Sequence, residues 1–302
     1  MSKLSVVVSA FNEERKIKDC LESVKWADEI ILINSSSTDK TVEIAKKYTK
    51  KIFTQPNHKM LNINKNFGFD NATGDWILNL DSDERVSPEL EKEIELRIKN
   101  NELGINGYWI PRKNILFGKW IRHAGWYPDH QLRLFRKDKG RFPEKHVHEK
   151  IAVDGETAYL KEHLSHLNYE TIDQFLKKLS AIYTLNEAEE LIKKGYVFDW
   201  KDAIRMPAGE FISRFFAREG YKDGFHGLMI SLLMAFYHLI VFANIWEKQG
   251  FMETEGNIIE EAEKEFKKSN KEITYWFFNE KIKTSKNLLR KTSLKLQRKF
   301  SK

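Results

Sequence analysis

Residues 76–84 read WILNLDSDE, and the fold of the chain turns on that stretch. An apolar run, Trp76-Ile77-Leu78 and then Leu80, ends in two carboxylates one residue apart, Asp81 and Asp83. Side chains two apart on a strand point to the same side, so both carboxylates can face one point. A parallel strand of an open α/β sheet opens at its carboxyl end into the ligand crevice. Two hard oxygen ligands there suit Mg²⁺ or Mn²⁺, which keeps waters and completes its shell with phosphate oxygens. The competing reading is a solvated acidic turn ahead of the helix that Pro88 begins. Asp-x-Asp alone does not separate the two.

The flanking sequence favours the sheet. Residues 3–10 (KLSVVVSA), 29–34 (EIILIN) and 51–54 are short runs rich in β-branched or aromatic residues, and each predicts a strand. A helical pattern follows each of them. The first runs from Asn12 through Val24, with Glu13 and Glu14 in the turn where the helix dipole favours them. The second runs to Tyr48 with Ser37 or Thr38 as its cap, and the third covers 59–72. Strand and helix alternate three times before Asp81, which predicts a parallel, doubly wound sheet. Beyond it, 88–100 is a charged helix, and 107–116 and 131–136 are further strands flanking the aromatic loop 117–130. Leu132 and Leu134 alternate with Arg133, giving one greasy and one cationic face.

After about residue 154 the character changes, which divides the chain into an α/β domain over 1–155 and a helical module over 156–302. Helices are expected over 171–194, through most of 196–246, and over 253–268. Residues 227–246 hold twenty positions without a formal charge, enough in length for a membrane span. Ser231, His238 and Asn244 weaken the span, and a helix in the membrane interface or in a bundle ranks ahead of it. Residues 281–302 carry nine Lys/Arg and no acid, interspersed with Leu288, Leu289, Leu294, Leu296 and Phe300. That pattern fits an anionic surface, lipid or nucleic acid, or a solvated terminus.

Composition narrows the class. At 302 residues, 41% hydrophobic and 31% charged, the chain can bury a large core and is not disordered. The single cysteine, Cys20, rules out a disulfide framework and suits a reducing compartment. Cys20 shares a predicted apolar helix face with Ile17, Leu21 and Val24, so packing explains it better than nucleophilic chemistry. Met1-Ser-Lys leads straight into a strand, with no signal-peptide pattern.

Four motifs occur in one order: Val7-Val8-Ser9-Ala10-Phe11-Asn12-Glu13, then 34–41 (NSSSTDKT), then Lys65-Asn66-Phe67-Gly68, then Leu80-Asp81-Ser82-Asp83-Glu84. Together they resemble the family 2 inverting glycosyltransferases with the GT-A nucleotide-sugar fold, a mostly parallel Rossmann-like sheet flanked by helices. The likeness continues through Trp126-Tyr127-Pro128-Asp129, Arg133-Leu134-Phe135-Arg136, His146-Val147-His148-Glu149 and 219–224 (EGYKDG). That extended pattern is similar to lipopolysaccharide core-heptose β-1,4-glucosyltransferases of the cell envelope.

The resemblance implies site roles. Ser9, Phe11 and Glu13 at the first strand's exit, with Asn34 and Asp39 after the second, would cradle the nucleotide. Asn34 stands where the family commonly has Asp, and Ser36 where a glycine is usual. Lys65 and Ser82 would lie near the nucleotide, and Arg133 and Arg136 would hold the diphosphate or an anionic acceptor. Asp83 is the expected direct ligand of Mg²⁺ or Mn²⁺, with Asp81 near the ribose or a metal-bound water and His148 assisting. Glu149 is the expected base, with Asp129 as rival. Trp109, Trp120, Trp126 and Tyr127 offer faces for sugar stacking or for core packing.

The implied reaction is transfer from a nucleotide sugar such as UDP-glucose to a glycan, lipid-linked at the cytoplasmic surface of a membrane. Three other readings remain. A nucleotidyltransferase would carry a Gly-rich basic loop early in the chain, where 9–13 is acidic. A nucleic-acid binder using the basic tail leaves Asp81 and Asp83 unexplained, so no nucleic acid is expected as partner. A non-catalytic sugar-binding relative is the third.

Overall fold

The computed structural model describes residues 2–58, 60–100, 104–145 and 149–300. Its strands are β1 (Leu4–Ala10), β2 (Glu29–Asn34), β3 (Lys51–Thr54), β4 (Trp76–Asp81), β5 (Glu84–Val86) and β6 (Ile105–Leu116). They continue with β7 (Lys119–Trp120), β8 (Asp129–Arg136), β9 (Gly140–Arg141), β10 (Ala152–Val153), β11 (Glu156–Tyr159) and β12 (Leu164–Tyr169). Helices α1 (Ile17–Glu22), α2 (Thr41–Ala45), α3 (Leu61–Asp70) and α4 (Pro88–Asn100) lie among the strands. The later helices are α5 (Ile172–Lys178), α6 (Thr184–Lys193), α7 (Asp202–Ile212), α8 (Phe225–Lys248), α9 (Ile258–Thr284) and α10 (Leu288–Phe300).

The chain divides into two compact units: Met1–Trp120 with Tyr127–Asn168, and Ile121–Trp126 with Tyr169–Lys302. In the first, one sheet runs in the order β3-β2-β1-β4-β8-β6-β12-β5. The β3-β2-β1-β4 half is parallel, and β8 joins β4 antiparallel. After β1 the chain builds outward through β2 and β3, then returns to place β4 on β1's other side. That reversal is the topological switch point, and it puts the crevice at the carboxyl ends of β1 and β4, where Asp81 sits. The α/β architecture with a helical C-terminal region is therefore as expected.

Burial on both faces explains the continuous apolar runs. Val6, Val8, Leu32, Leu78 and Leu80 pack with Ile17, Cys20, Leu21 and Leu90 on one side. Val7, Ile31, Ile33 and Ile77 pack with Phe69, Phe135 and Phe142 on the other. Cys20 is a core residue, and burial pushes its thiol pKa up, so it is inert. α3 approaches the sheet closely at Gly68, where an added Cβ would meet Val7 Cγ1 at 2.5 Å and Ile33 Cγ1 at 2.8 Å. Gly68→Ala is expected to destabilise the unit by about 1–3 kcal/mol in thermal unfolding, because the core is already filled.

Local signals were less faithful than the pattern. α1 stops at Glu22, and α2 begins at Thr41 with no side-chain cap from Ser37 or Thr38. Instead Asp39 Oδ1 accepts from the Thr41 amide at 3.0 Å, satisfying the helix start from the second turn residue back. Ser36 has φ +60°, a left-handed turn that explains the glycine preference at this position. Arg133 does not make an exposed cationic face; it is buried like Leu132 and Leu134.

In the second unit α8 packs against α6 and α7. α8 is long and apolar enough to cross a membrane, yet Tyr237, His238 and Asn244 meet partners on those helices. Tyr237 donates to Glu187 at 2.6 Å, Asn244 to Thr184 at 3.0 Å, and His238 lies 3.7 Å from Glu210. Of the polar interruptions noted in the sequence, His238 and Asn244 are thus on the bundle side, and the buried Ser231 donates to the Gly227 carbonyl of α8 itself. α9 starts at Ile258, capped by Asn257, and runs well past the expected end at Lys268. The 219–224 motif closes on residues 121–126: Asp223 Oδ2 accepts from the Arg122 and His123 amides at 3.1 and 2.8 Å.

Candidate active site

Register builds the site. In the β6–β8 ladder Arg112 lies directly opposite Asp129, and the two pair: Arg112 Nε and Nη2 donate to Asp129 Oδ2 at 2.9 and 2.6 Å. Asn114 donates to the same oxygen at 3.0 Å, and Gln131 donates to Oδ1 at 2.7 Å. Burial alone would raise the Asp129 carboxyl, but the Arg112 charge and these hydrogen bonds outweigh it and hold it below the usual carboxylate range. Asp129 is therefore ionised throughout the neutral range.

At the end of β4, Asp81 is held from two sides. Lys65 Nζ reaches Oδ1 at 2.6 Å from α3, and Arg133 Nη2 reaches Oδ2 at 2.6 Å from β8. Burial opposes ionisation, yet these two cations keep the carboxyl well below its ordinary value. The same Arg133 nitrogen meets Glu84 Oε1 at 2.7 Å, and Arg112 Nη1 lies 3.5 Å from that oxygen. Glu84 is fully buried and also accepts from the Asp81 amide at 3.0 Å. An alternating row, Lys65, Asp81, Arg133, Glu84, Arg112, Asp129, thus crosses the crevice.

Removing Glu84 would leave two guanidinium groups short of a buried counter-charge. Glu84→Ala is expected to cost about 3–5 kcal/mol in thermal or denaturant unfolding, as for other broken buried ion pairs. Glu84→Gln, which keeps one acceptor, should cost less.

A second row starts from Asp83. The β5–β12 pairing brings His166 opposite Glu84, and His166 Nε2 stands 3.6 Å from Asp83 Oδ2. His166 Nδ1 contacts Asn114 Oδ1 at 2.6 Å, while Asn114 Nδ2 donates to Asp129. A carboxylate only accepts, so the Asn114 amide orientation is fixed, and Nδ1 of His166 carries the proton. Nε2 of His166 is then the nitrogen that faces Asp83; burial opposes ionisation of Asp83, yet the His166 contact helps hold its carboxyl below the ordinary value. Asp83 Oδ1 is buried without a hydrogen-bond partner. A carboxylate and an imidazole nitrogen turned toward each other are joined by a proton or by a shared cation. This donor set fits a divalent ion that also takes substrate phosphates, which is how Mg²⁺ and Mn²⁺ are usually held. Among the described residues no group of three or more His, Cys, Asp and Glu forms a complete protein cage.

The remaining predicted residues fall in three groups. Ser9 faces Asp81 across the β1–β4 ladder, and its buried Oγ has no partner. Phe11 is exposed at the β1 exit, and the buried Ser82 lies between the two aspartates. Glu13, Asn34 and Asp39 serve the turns themselves. Asn34 donates to Thr54 and accepts from the Ser37 amide, Asp39 accepts from the Glu14 amide at 3.0 Å, and the Glu13 amide donates to Thr41 at 2.8 Å. Arg136 pairs with Trp76 at the opposite end of β4, with its guanidinium 4.7 Å from the indole, so the structure does not bring it to the crevice. Glu149 accepts from the Glu144 and Lys145 amides at 2.5 and 3.0 Å and from Asn62 at 3.2 Å. His146 and His148 lie outside the described residues. Near Asp129 in sequence, Tyr127 bonds His163 at 2.8 Å, and Trp120 stands edge-on to Tyr127. Trp109 stacks on Tyr159, and Trp126 lies under Arg214.

The family model described as Glycosyl transferase family 2 matches residues 5–167, more than half of the chain. The chain belongs to that family. This family 2 glycosyltransferase is 28% identical over 260 residues to the protein named uncharacterized glycosyltransferase RT0209 of Rickettsia typhi, covering 82% of this chain and 88% of that one. It is 25% identical over 253 residues to lipopolysaccharide core biosynthesis glycosyltransferase LpsC of Rhizobium meliloti, covering 81% and 92%. Among solved structures, S. aureus TarS 1-349 is similar with a TM-score of 0.43 at 16% identity, covering 82% of this chain and 92% of that one.

Glu84, Arg112, Asn114 and His166 were not singled out from sequence. Glu84 stood inside the quoted motif. The other three carry no local signal, since strand pairing alone brings them to the aspartates.

Proposed function

We propose that this family 2 glycosyltransferase is an inverting enzyme that moves a hexose from a nucleotide sugar, UDP-glucose or similar, to a saccharide acceptor. The observation that carries the reading is the double row of contacts joining Asp81 and Asp83 to Asp129. A donor-side acidic pair and a third ionised carboxylate in one crevice are what an inverting displacement needs. The acceptor hydroxyl attacks the anomeric carbon as the bond to the diphosphate breaks, and a carboxylate takes the hydroxyl proton.

Asp129 is the better base. Its carboxylate is ionised and aimed by Arg112, Asn114 and Gln131. Both carboxylates have their oxygens engaged, Glu149 by the 144–145 amides, and what favours Asp129 is its place where the two rows leading to Asp81 and Asp83 meet. Asp83 and His166 would hold Mg²⁺ or Mn²⁺, with Asp81 kept by Lys65 and Arg133 for the donor's ribose or a metal-bound water. When bound, the ion supplies charge stabilisation to the departing diphosphate. Lys65, on α3, adds a positive charge at the same end of β4.

The similarity to LpsC supports an acceptor in the cell envelope, a lipid-linked saccharide such as lipopolysaccharide core. Such an acceptor places the enzyme peripherally on the cytoplasmic face of a membrane, with the helical module contacting the surface. The test is titration calorimetry with UDP, GDP, CDP and ADP, each with and without Mn²⁺. The reading expects one nucleotide to bind in a metal-dependent way. Absence of binding by all four under both conditions would remove it.

A further inference from the structure

α10 is the element whose chemistry the transfer reaction does not use. From residue 281 to residue 300 the sequence contains eight Lys/Arg and no Asp or Glu. α10 packs back on α9. Arg298 Nη1 donates to Asn279 at 2.8 Å, and its guanidinium lies 5.2 Å from the Tyr275 ring. Lys291, Leu294 and Arg298, spaced three and four apart, are the half-buried positions and form the stripe against α9. At 100° per residue, Leu289 and Leu296 lie roughly 140° to 160° around the helix from Leu294. The stripe therefore turns the other leucines outward: Leu288 is 77% exposed, Leu289 83% and Leu296 56%.

Lys295 and Lys299 border this outward face, and Arg290 sits on the flank roughly 100° from Leu289. Arg290, Lys295 and Lys299 are exposed, and among the described residues no carboxylate lies within ion-pair distance of them. Packing on α9 leaves these three leucines as apolar surface beside cations. A nucleic-acid surface would take the charges but not the leucines, because phosphates offer no apolar partner. An anionic bilayer takes both, burying the leucines at the acyl boundary while headgroups neutralise the cations.

We infer that α10 is a lipid-binding helix, inserting Leu288, Leu289 and Leu296 into an anionic membrane surface flanked by Arg290, Lys295 and Lys299. The inference deepens the membrane-surface reading above and rests on it, but its test needs neither nucleotide nor acceptor.

The experiment is co-sedimentation of the full chain with vesicles of phosphatidylethanolamine and phosphatidylglycerol, against vesicles of phosphatidylcholine alone. Wild type should partition onto the anionic vesicles and not the neutral ones, and added salt should weaken binding. Leu288→Gln/Leu289→Gln/Leu296→Gln should lower partitioning by at least about tenfold, since three apolar side chains lose their burial. The three positions are exposed, so its circular dichroism and unfolding midpoint should match wild type. Arg290→Gln/Lys295→Gln/Lys299→Gln should remove the preference for anionic lipid, and it reads the same face if the leucine variant fails to fold. Wild type that ignores anionic vesicles overturns the proposal. So does a folded leucine variant that binds like wild type, which would mean adhesion by charge alone. Duplex DNA held equally by wild type and leucine variant, and displacing the vesicles, would assign the face to nucleic acid instead. Vesicle binding without nucleotide binding would leave this inference standing and remove the donor reading, and the reverse pair of results would do the opposite.

Discussion

Replacing Asp129 with asparagine is expected to lower kcat by about 100- to 10,000-fold, the span that a positioned general base contributes. Nucleotide affinity should stay within about twofold, because Asp129 meets the donor end only through Arg112–Glu84 and Asn114–His166. The amide keeps the shape and one acceptor for Arg112, so the fold is preserved and the loss reports proton transfer. The pH profile gives an independent reading. The Asp129 pKa is depressed in the folded protein, so activity is full above it and falls as pH drops through it, below the ordinary carboxylate range. As far as this residue is concerned, kcat/KM should be flat from about pH 5 to pH 8. Arg112→Gln removes the charge that opposes burial, so the acid limb should move to higher pH. An asparagine variant with undiminished kcat would return the base role to Glu149. The Glu149→Gln variant, measured alongside, would then carry the loss.

Replacing Asp83 with alanine is expected to abolish metal-dependent nucleotide binding, weakening it by about 100-fold or more in the presence of Mn²⁺. Binding measured without metal should change little. His166→Ala should weaken the metal-dependent component by roughly 10- to 100-fold, through loss of the second donor. Calorimetry separates these effects from catalysis. If Asp83→Ala binds nucleotide and Mn²⁺ like wild type, the ion is held elsewhere or is not used. Asp81→Asn is the informative contrast. Its two oxygens already meet Lys65 and Arg133, so its replacement should disturb the unfolding midpoint as well as binding.

Much of this was legible in the chain. The apolar run ending at Asp81 and Asp83 left a buried strand and a solvated turn open, and three strand–helix alternations upstream favoured the strand in a parallel sheet. Those signals are local and periodic, so sequence carries them directly. The order of motifs from Val7 to Glu84 was enough to point to the family. Helix ends were less legible, as α2 shows: its capping group is Asp39, since the 34–41 turn folds back on the 11–14 loop.

The sequence by itself determined the α/β class, the switch-point carboxylates and the cationic, leucine-bearing composition of the tail, which the structure folds into α10. Only the tertiary structure decided which charges meet. Asp81 could be read as a free ligand until α3 and β8 brought Lys65 and Arg133 onto its two oxygens. Arg136 looked equivalent to Arg133, but antiparallel pairing with β4 carries it toward the far end of the strand. His166, eighty-three positions beyond Asp83, meets it only because β12 returns to pair with β5. The physical reason is the same in each case. Strand periodicity is written in neighbouring residues, whereas the partner of a buried charge is set by ladder register between distant segments.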